Sequence, residues 1–146
     1  MDQMYEELNQ SCVKLVSGFM NLEKMALLSS EFNDISMNDV HIMDAVGMDE
    51  SRNMSTIAHK LNVTVGSLTT AMNGLVRKGY VQRERSEMDR RVVYIRLTEK
   101  GQKVFVRHSQ YHMRQMKSLT EHMTEEELKS ALKYLHQAEG VLESMR

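Results

Sequence analysis

The stretch from 54 to 97 constrains the fold more than any other part of the chain, because its hydrophobic period changes part-way along. MSTIAHKL at Met54–Leu61 sets Ile57, Ala58 and Leu61 at helical spacing, and Asn62 with Val63 makes a tight turn. Thr64 is a good cap for a second helix over 65–78, which turns Leu68, Met72 and Leu75 inward and ends at Gly79. The period then drops to two. YVQRER at 80–85 and VVYIRL at 92–97 alternate as strands, joined by the polar, charged SEMDRR at 86–91. A short helix, a brief turn and a longer helix with a polar face read as a helix-turn-helix. Any helical domain contains helix pairs, so the hairpin directly behind this one narrows the reading to a wing with a charged tip.

The flanks are helical. There is no proline and there are only seven glycines, so little interrupts a helix. Residues 2–29 carry Leu8, Cys12, Leu15, Phe19, Leu22, Met25 and Ala26 at helical spacing; Ser36 caps a second helix that Gly47 closes; 49–53 is a polar connection. Thr98 caps a helix to about 119, with Val104, Tyr111, Met113 and Met116 as its apolar positions. Thr124 and Glu127 form a capping box for the last helix, whose Leu128, Ala131, Leu132, Leu135, Ala138 and Leu142 make an apolar stripe. The expected fold is mainly α with a small β-wing, one domain over 1–146. Its winged-helix region is 36–97, a linking helix covers 98–119, and 2–30 with 120–146 are dimerisation helices. Stripes at both ends of a chain with so little centre to cover imply a homodimer.

A net charge of −1 conceals an asymmetry. Residues 1–50 hold ten acids against two lysines, a net of −8, whereas 77–96 hold seven basic residues against three acids, a net of +4. A basic patch of this kind alone would read as a solvated face; on a recognition helix and wing it reads as a phosphate-binding footprint. No apolar run approaches the roughly 20 residues of a membrane helix, and the acidic, polar start is no signal peptide. The single Cys12 forms no internal disulfide, so a reducing cytoplasm is expected, and nothing basic around it activates a thiolate. Nucleophile-elbow, P-loop and dinucleotide signatures are absent, which argues against an enzyme.

This order of elements, with LVRKG at 75–79, DRR at 89–91 and LTEKG at 97–101, resembles the MarR family of bacterial regulators over essentially the whole chain. DIS at 34–36, His41, Asp44, Gly47 and the run from 63 to 93 look like one branch, the fatty-acid-biosynthesis repressors of Gram-positive bacteria. The family resemblance implies a homodimer on a pseudo-palindromic operator in double-stranded DNA, with each recognition helix in the major groove and each wing in the minor groove. The branch resemblance implies repression of type II fatty acid synthesis genes, with long-chain acyl-acyl carrier protein as co-repressor.

Placement in the helix-turn-helix makes Ser67, Thr69, Thr70 and Asn73 candidates for base or phosphate contact, with Gly66 allowing close backbone approach. Arg77 and Lys78 at the helix end and Arg90 at the wing are expected on phosphates, and Arg85 is a further DNA-binding candidate. Arg91 resembles the family's minor-groove arginine, and Asp89 the carboxylate that orients it. No cofactor is expected beyond an effector, whose identity stays open. Fourteen methionines are many, and Met20, Met25, Met37, Met43, Met113 and Met116 suit either an acyl chain or plain core filling. Basic Arg96, Lys103 and Arg107 would suit an acidic carrier protein. Zinc is the alternative: Glu23, His41, His108 and His112 are similar to the ligand set of zinc-sensing MarR regulators, and the last two sit four apart on one helix.

Overall fold

The computed structural model describes residues 1–27, 31–48, 51–86 and 92–145. Among the described residues, six helices and three strands follow in the order α1 (Asp2–Leu27), α2 (Met37–Val46), β1 (Arg52–Asn53), α3 (Met54–Leu61), α4 (Val65–Arg77), β2 (Val81–Arg85), β3 (Val93–Leu97), α5 (Glu99–Thr120) and α6 (Glu125–Ser144). The architecture is the mainly α, winged helix-turn-helix fold the sequence implies. Several boundaries have a local cause. Ser36 accepts from the Asp39 amide while Asp39 reaches back to the Ser36 amide, which closes a capping box on α2. Gly47, at φ 75°, lets the chain leave that helix. Thr124 and Glu127 repeat the box on α6.

One element was unforeseen. The polar connection expected over 49–53 ends in a two-residue strand, pairing Arg52 with Ile95 and Asn53 with Tyr94. A pair of polar residues carries no period, so nothing in the pattern marks it. Arg52 is fixed from its far end, where Nη1 donates to the Ala45 carbonyl at 2.9 Å. The antiparallel sheet runs β1-β3-β2, with Val81 opposite Leu97, Arg83 opposite Ile95 and Arg85 opposite Val93.

Ile57, Leu68, Met72, Leu75, Tyr80 and Ile95 are buried to 2% exposure or less and join helix-turn-helix and sheet in one core with Val40, Met43 and Val46 of α2. The chain divides into two compact units, Met1–Tyr111 and His112–Arg146. The division falls inside α5 because that helix's last buried position is His108, and no residue of α6 is buried.

Candidate nucleic-acid interface

The turn of the helix-turn-helix is built by Asn62 in the left-handed region (φ 55°, ψ 44°), a conformation asparagine tolerates, and the Val63 amide returns to the Ala58 carbonyl at 3.0 Å. Thr64 then caps α4, its Oγ1 accepting from the Ser67 amide at 3.1 Å. With Leu68, Met72 and Leu75 fixed in the core, Gly66, Thr70, Asn73 and Arg77 recur at i, i+4, i+7 and i+11 on the exposed side. A Cβ at Gly66 would meet only Thr64 Oγ1, at 3.8 Å, so nothing inside the chain requires glycine there. Ser67 is exposed on the flank of this stripe, its Oγ 2.9 Å from Thr64 Oγ1. Thr69 departs from expectation: its hydroxyl donates to the Val65 carbonyl at 2.7 Å, so it presents an acceptor rather than a donor.

Lys78 also departs. It does not face outward with Arg77 but turns back, Nζ donating to Asp39 Oδ2 at 3.1 Å in a largely shielded ion pair. Its carbonyl accepts from Lys100 Nζ at 3.1 Å. Lys78 therefore ties the recognition helix to the start of α2. The same junction holds Tyr80, whose hydroxyl donates to Asp34 Oδ1 at 2.5 Å while Lys100 lies 3.9 Å over its ring. Tyr80's hydroxyl keeps its proton, because burial and the Asp34 carboxylate both push its pKa up. That hydrogen bond, helped by Lys100 and opposed by slight burial, holds Asp34 below the usual carboxylate range. Thr98 Oγ1 donates to the Gly79 carbonyl at 2.6 Å and accepts from the Gly101 amide at 3.2 Å, which starts α5 against the corner where α4 becomes β2.

On the wing, Val81, Arg83 and Arg85 share one face of β2 by strand alternation. Val81 is buried; Arg83 and Arg85 are exposed beyond the core's edge. Arg83 Nη2 donates to Asn73 Oδ1 at 2.6 Å, so this face looks toward the exposed stripe of α4. Arg83 escaped the sequence reading as a site residue, although counting in twos from buried Val81 reaches it. Arg96, on the opposite face, pairs with Glu84 at 3.4 Å. The hairpin is closed up to the Ser86 amide on the Val92 carbonyl, 3.0 Å apart. Asp89, Arg90 and Arg91 lie outside the described residues.

A second constellation lies in the first unit. Glu23, His41 and His108 bring one ligand atom each within 4.8 Å of one another. Glu23 Oε1 is 2.6 Å from His108 Nε2 and 3.4 Å from His41 Nε2, and His108 Nδ1 is 3.4 Å from Asp44 Oδ1. The Asp44 hydrogen bond, opposed by burial and supported by Glu23, raises the His108 pKa. Burial pushes Glu23 up, but the His108 and His41 hydrogen bonds outweigh it and leave its pKa lowered. His112 lies one turn further along α5, in the second unit. The methionines do not behave as a set: Met43 is fully buried in the core, whereas Met20, Met113 and Met116 are exposed. Arg107 lies over the Phe32 ring, 5.8 Å from its centroid, and Lys103 is exposed.

Comparison with known proteins places this geometry. The family model for the transcriptional regulator SarA/Rot matches residues 24–108. A crystal structure of FabT from Streptococcus pneumoniae in complex with DNA is 34% identical, with a TM-score of 0.91, covering 97% of this chain and 99% of that one. The HTH-type transcriptional regulator PchR of Bacillus subtilis is 27% identical over 75% of this chain, a match that spans 66% of its own length, just under two thirds. SarZ of Staphylococcus saprophyticus is 31% identical over 57% of this chain and 56% of its own. Fold and relatives alike are those of regulators and not of enzymes. The chain belongs to the SarA/Rot and MarR-like family of winged helix-turn-helix DNA-binding transcriptional regulators.

Proposed function

We propose that this regulator is a homodimeric repressor of type II fatty acid synthesis genes in the cytoplasm, and that long-chain acyl-acyl carrier protein strengthens its hold on a pseudo-palindromic operator. The observation that carries the reading is the match to FabT on DNA along nearly the whole of both chains. The residues that resemble the fatty-acid-biosynthesis branch also have work in the fold: Asp34 holds Tyr80, Ser36 caps α2, Asp44 faces His108, and Gly47 turns the chain at positive φ. In the interface, Thr70, Asn73 and Arg77 would enter the major groove, Gly66 and the α4 N-terminus would approach a phosphate, and Arg85 would follow the backbone toward the wing. The acidic carrier protein would dock on basic groups away from the acidic N-terminal third, with Arg96, Lys103 and Arg107 as its surface. Met113 and Met116, exposed on the second unit, would line the acyl site once a second copy covers them. A gel shift on the promoter region of the fatty acid synthesis genes of its own genome tests this. Long-chain acyl-acyl carrier protein is expected to lower the protein concentration for half-shift, and unacylated carrier protein is not; equal shifts with both would reject the co-repressor.

A second reading, regulation by zinc, is favoured by the convergence of Glu23, His41 and His108. The donor set fits: tetrahedral zinc at about 2.0–2.1 Å from each ligand holds neighbouring donors ~3.3 Å apart. The 3.4 Å from Glu23 Oε1 to His41 Nε2 matches, and the 2.6 Å to His108 Nε2 would have to open. Asp44 on the far nitrogen of His108 is the outer carboxylate that orients a ligating imidazole. Zinc would supply a cross-link between α1, α2 and α5 through Glu23, His41 and His108. Because α2 also packs on the helix-turn-helix core, such a cross-link would bias α4. Zinc titration of the gel shift against a chelator control separates the readings. Enhancement by zinc that is lost in His108→Ala, with no response to acylated carrier protein, would replace the lipid assignment and leave DNA binding intact.

A further inference from the structure

Asn73 stands in the middle of the exposed stripe of α4, where a side chain meets base edges, and Arg83 reaches it from the wing strand at 2.6 Å. A guanidinium has no acceptor, so only the carboxamide oxygen of Asn73 can face it. The orientation of the amide is therefore fixed by chemistry, with oxygen toward Arg83 and NH2 turned away. The bond is charge-assisted and short; it takes one of the oxygen's two lone pairs and pins the orientation of the amide. What the pair offers outward is a set of N–H donors: two on the Asn73 amide and the remaining ones of the guanidinium.

An unconstrained asparagine reads adenine by accepting from N6 and donating to N7 at once. That contact needs the oxygen and the NH2 to face one base edge together, whereas the oxygen pinned toward Arg83 leaves the NH2 as the group presented outward. Guanine presents O6 and N7, two neighbouring acceptors with no donor between them, which is the edge that a donor-only surface matches. We infer that Asn73 and Arg83 act as one donor-only reading unit that selects guanine over adenine at one base of each operator half-site, with Arg83 setting the specificity through Asn73. This rests on α4 lying in the major groove. Both side chains are exposed, so their truncation leaves the core of the fold untouched.

The test is selection by the full-length protein from a pool of duplexes with a randomised core, followed by sequencing, for wild type, Arg83→Leu and Asn73→Ala. Melting curves confirm that each variant is folded. Wild type is expected to enrich guanine at one position per half-site, and Asn73→Ala to lose that preference. Arg83→Leu, which frees the Asn73 oxygen, is expected to lower the guanine-to-adenine ratio there by roughly tenfold. A different result overturns the inference: Arg83→Leu weakens every sequence alike, lowers the salt slope by about one and keeps the preference, as a phosphate clamp would. Retention of the guanine preference by Asn73→Ala overturns it too. A wild type that retains no duplex would instead fail the regulator reading itself.

Discussion

At Gly101 a side chain has no place to go. A Cβ there would lie 2.1 Å from the Tyr80 carbonyl oxygen, a backbone atom that cannot rotate aside. The LTEKG motif thus has a packing cause: Leu97 closes the sheet, Thr98 clasps the Gly79 carbonyl, and Gly101 lets α5 lie against the corner leaving the recognition helix. Gly101→Ala is expected to destabilise the first unit by about 1–3 kcal/mol, read as a fall in Tm. An unchanged Tm would mean that α5 does not seat there. His108 makes a second case. Its pKa is raised in the fold, so its ion pairs with Glu23 and Asp44 contribute fully below the unfolded value of 6.5 and are lost as pH rises through the folded value. Glu23 is lowered, so its share is present above 4.5 and is lost as pH falls through its folded value. Between those limits both groups contribute. Chelator-treated protein should therefore melt at lower temperature at about pH 8.5 than at about pH 6, and Asp44→Asn should flatten that difference. A Tm independent of pH over this range would remove the charged pair from the account.

Among elements, the helices and the two long wing strands were legible because each repeats a period over several residues, and several carry boundary signals: Thr64 and Ser36 at starts, Gly47 and Gly79 at ends. Strand β1 was not legible, since two residues have no period, and its partner Ile95 lies over forty positions away. Within the interface, the exposed stripe of α4 was legible from helical spacing alone. Lys78 was misread as a phosphate contact because its partner Asp39 is distant in sequence. Arg83 was passed over because its meaning depends on Asn73, ten positions back. Long-range pairings leave no mark in a local pattern. The same limit applies to caps in reverse: they are local, so their energetics follow from sequence. Thr64→Ala is expected to cost about 1 kcal/mol and to fray the start of the recognition helix, weakening DNA binding with it. In the segment between β2 and β3, Arg91→Ala is expected to lower operator affinity by about 1–3 kcal/mol and Asp89→Ala by less, since Asp89 would orient the arginine without touching DNA. Fluorescence anisotropy on one operator duplex measures both. Wild-type affinity in Arg91→Ala would take the wing out of the groove.

At the scale of the whole molecule, the question is what covers the ends of the chain. On α6, Leu132, Leu135 and Leu142 are each more than half exposed, and on α1 so are Leu15, Met20, Leu22 and Met25. A single exposed leucine is ordinary on a protein surface; long apolar stripes on two helices are the mark of an interface. A second copy of the chain is the occupant that the proposed two-fold operator would call for, because two linked readers gain effective concentration that a lone reader lacks. Since α6 supplies no buried residue within its own chain, substitutions on it should act on association and spare the winged-helix core. Leu132→Asp with Leu135→Asp is accordingly expected to shift the light-scattering mass from twice the 16.9 kDa chain toward the monomer. The wild type should show a Tm that rises with protein concentration, and the double variant should lose that dependence while keeping the first unit's helical signal. DNA binding should fall far more than any single groove contact explains, because one reader then has to hold its half-site alone. A wild type that scatters as a 16.9 kDa species at micromolar concentration would refute the dimer, and with it the assignment of the terminal helices.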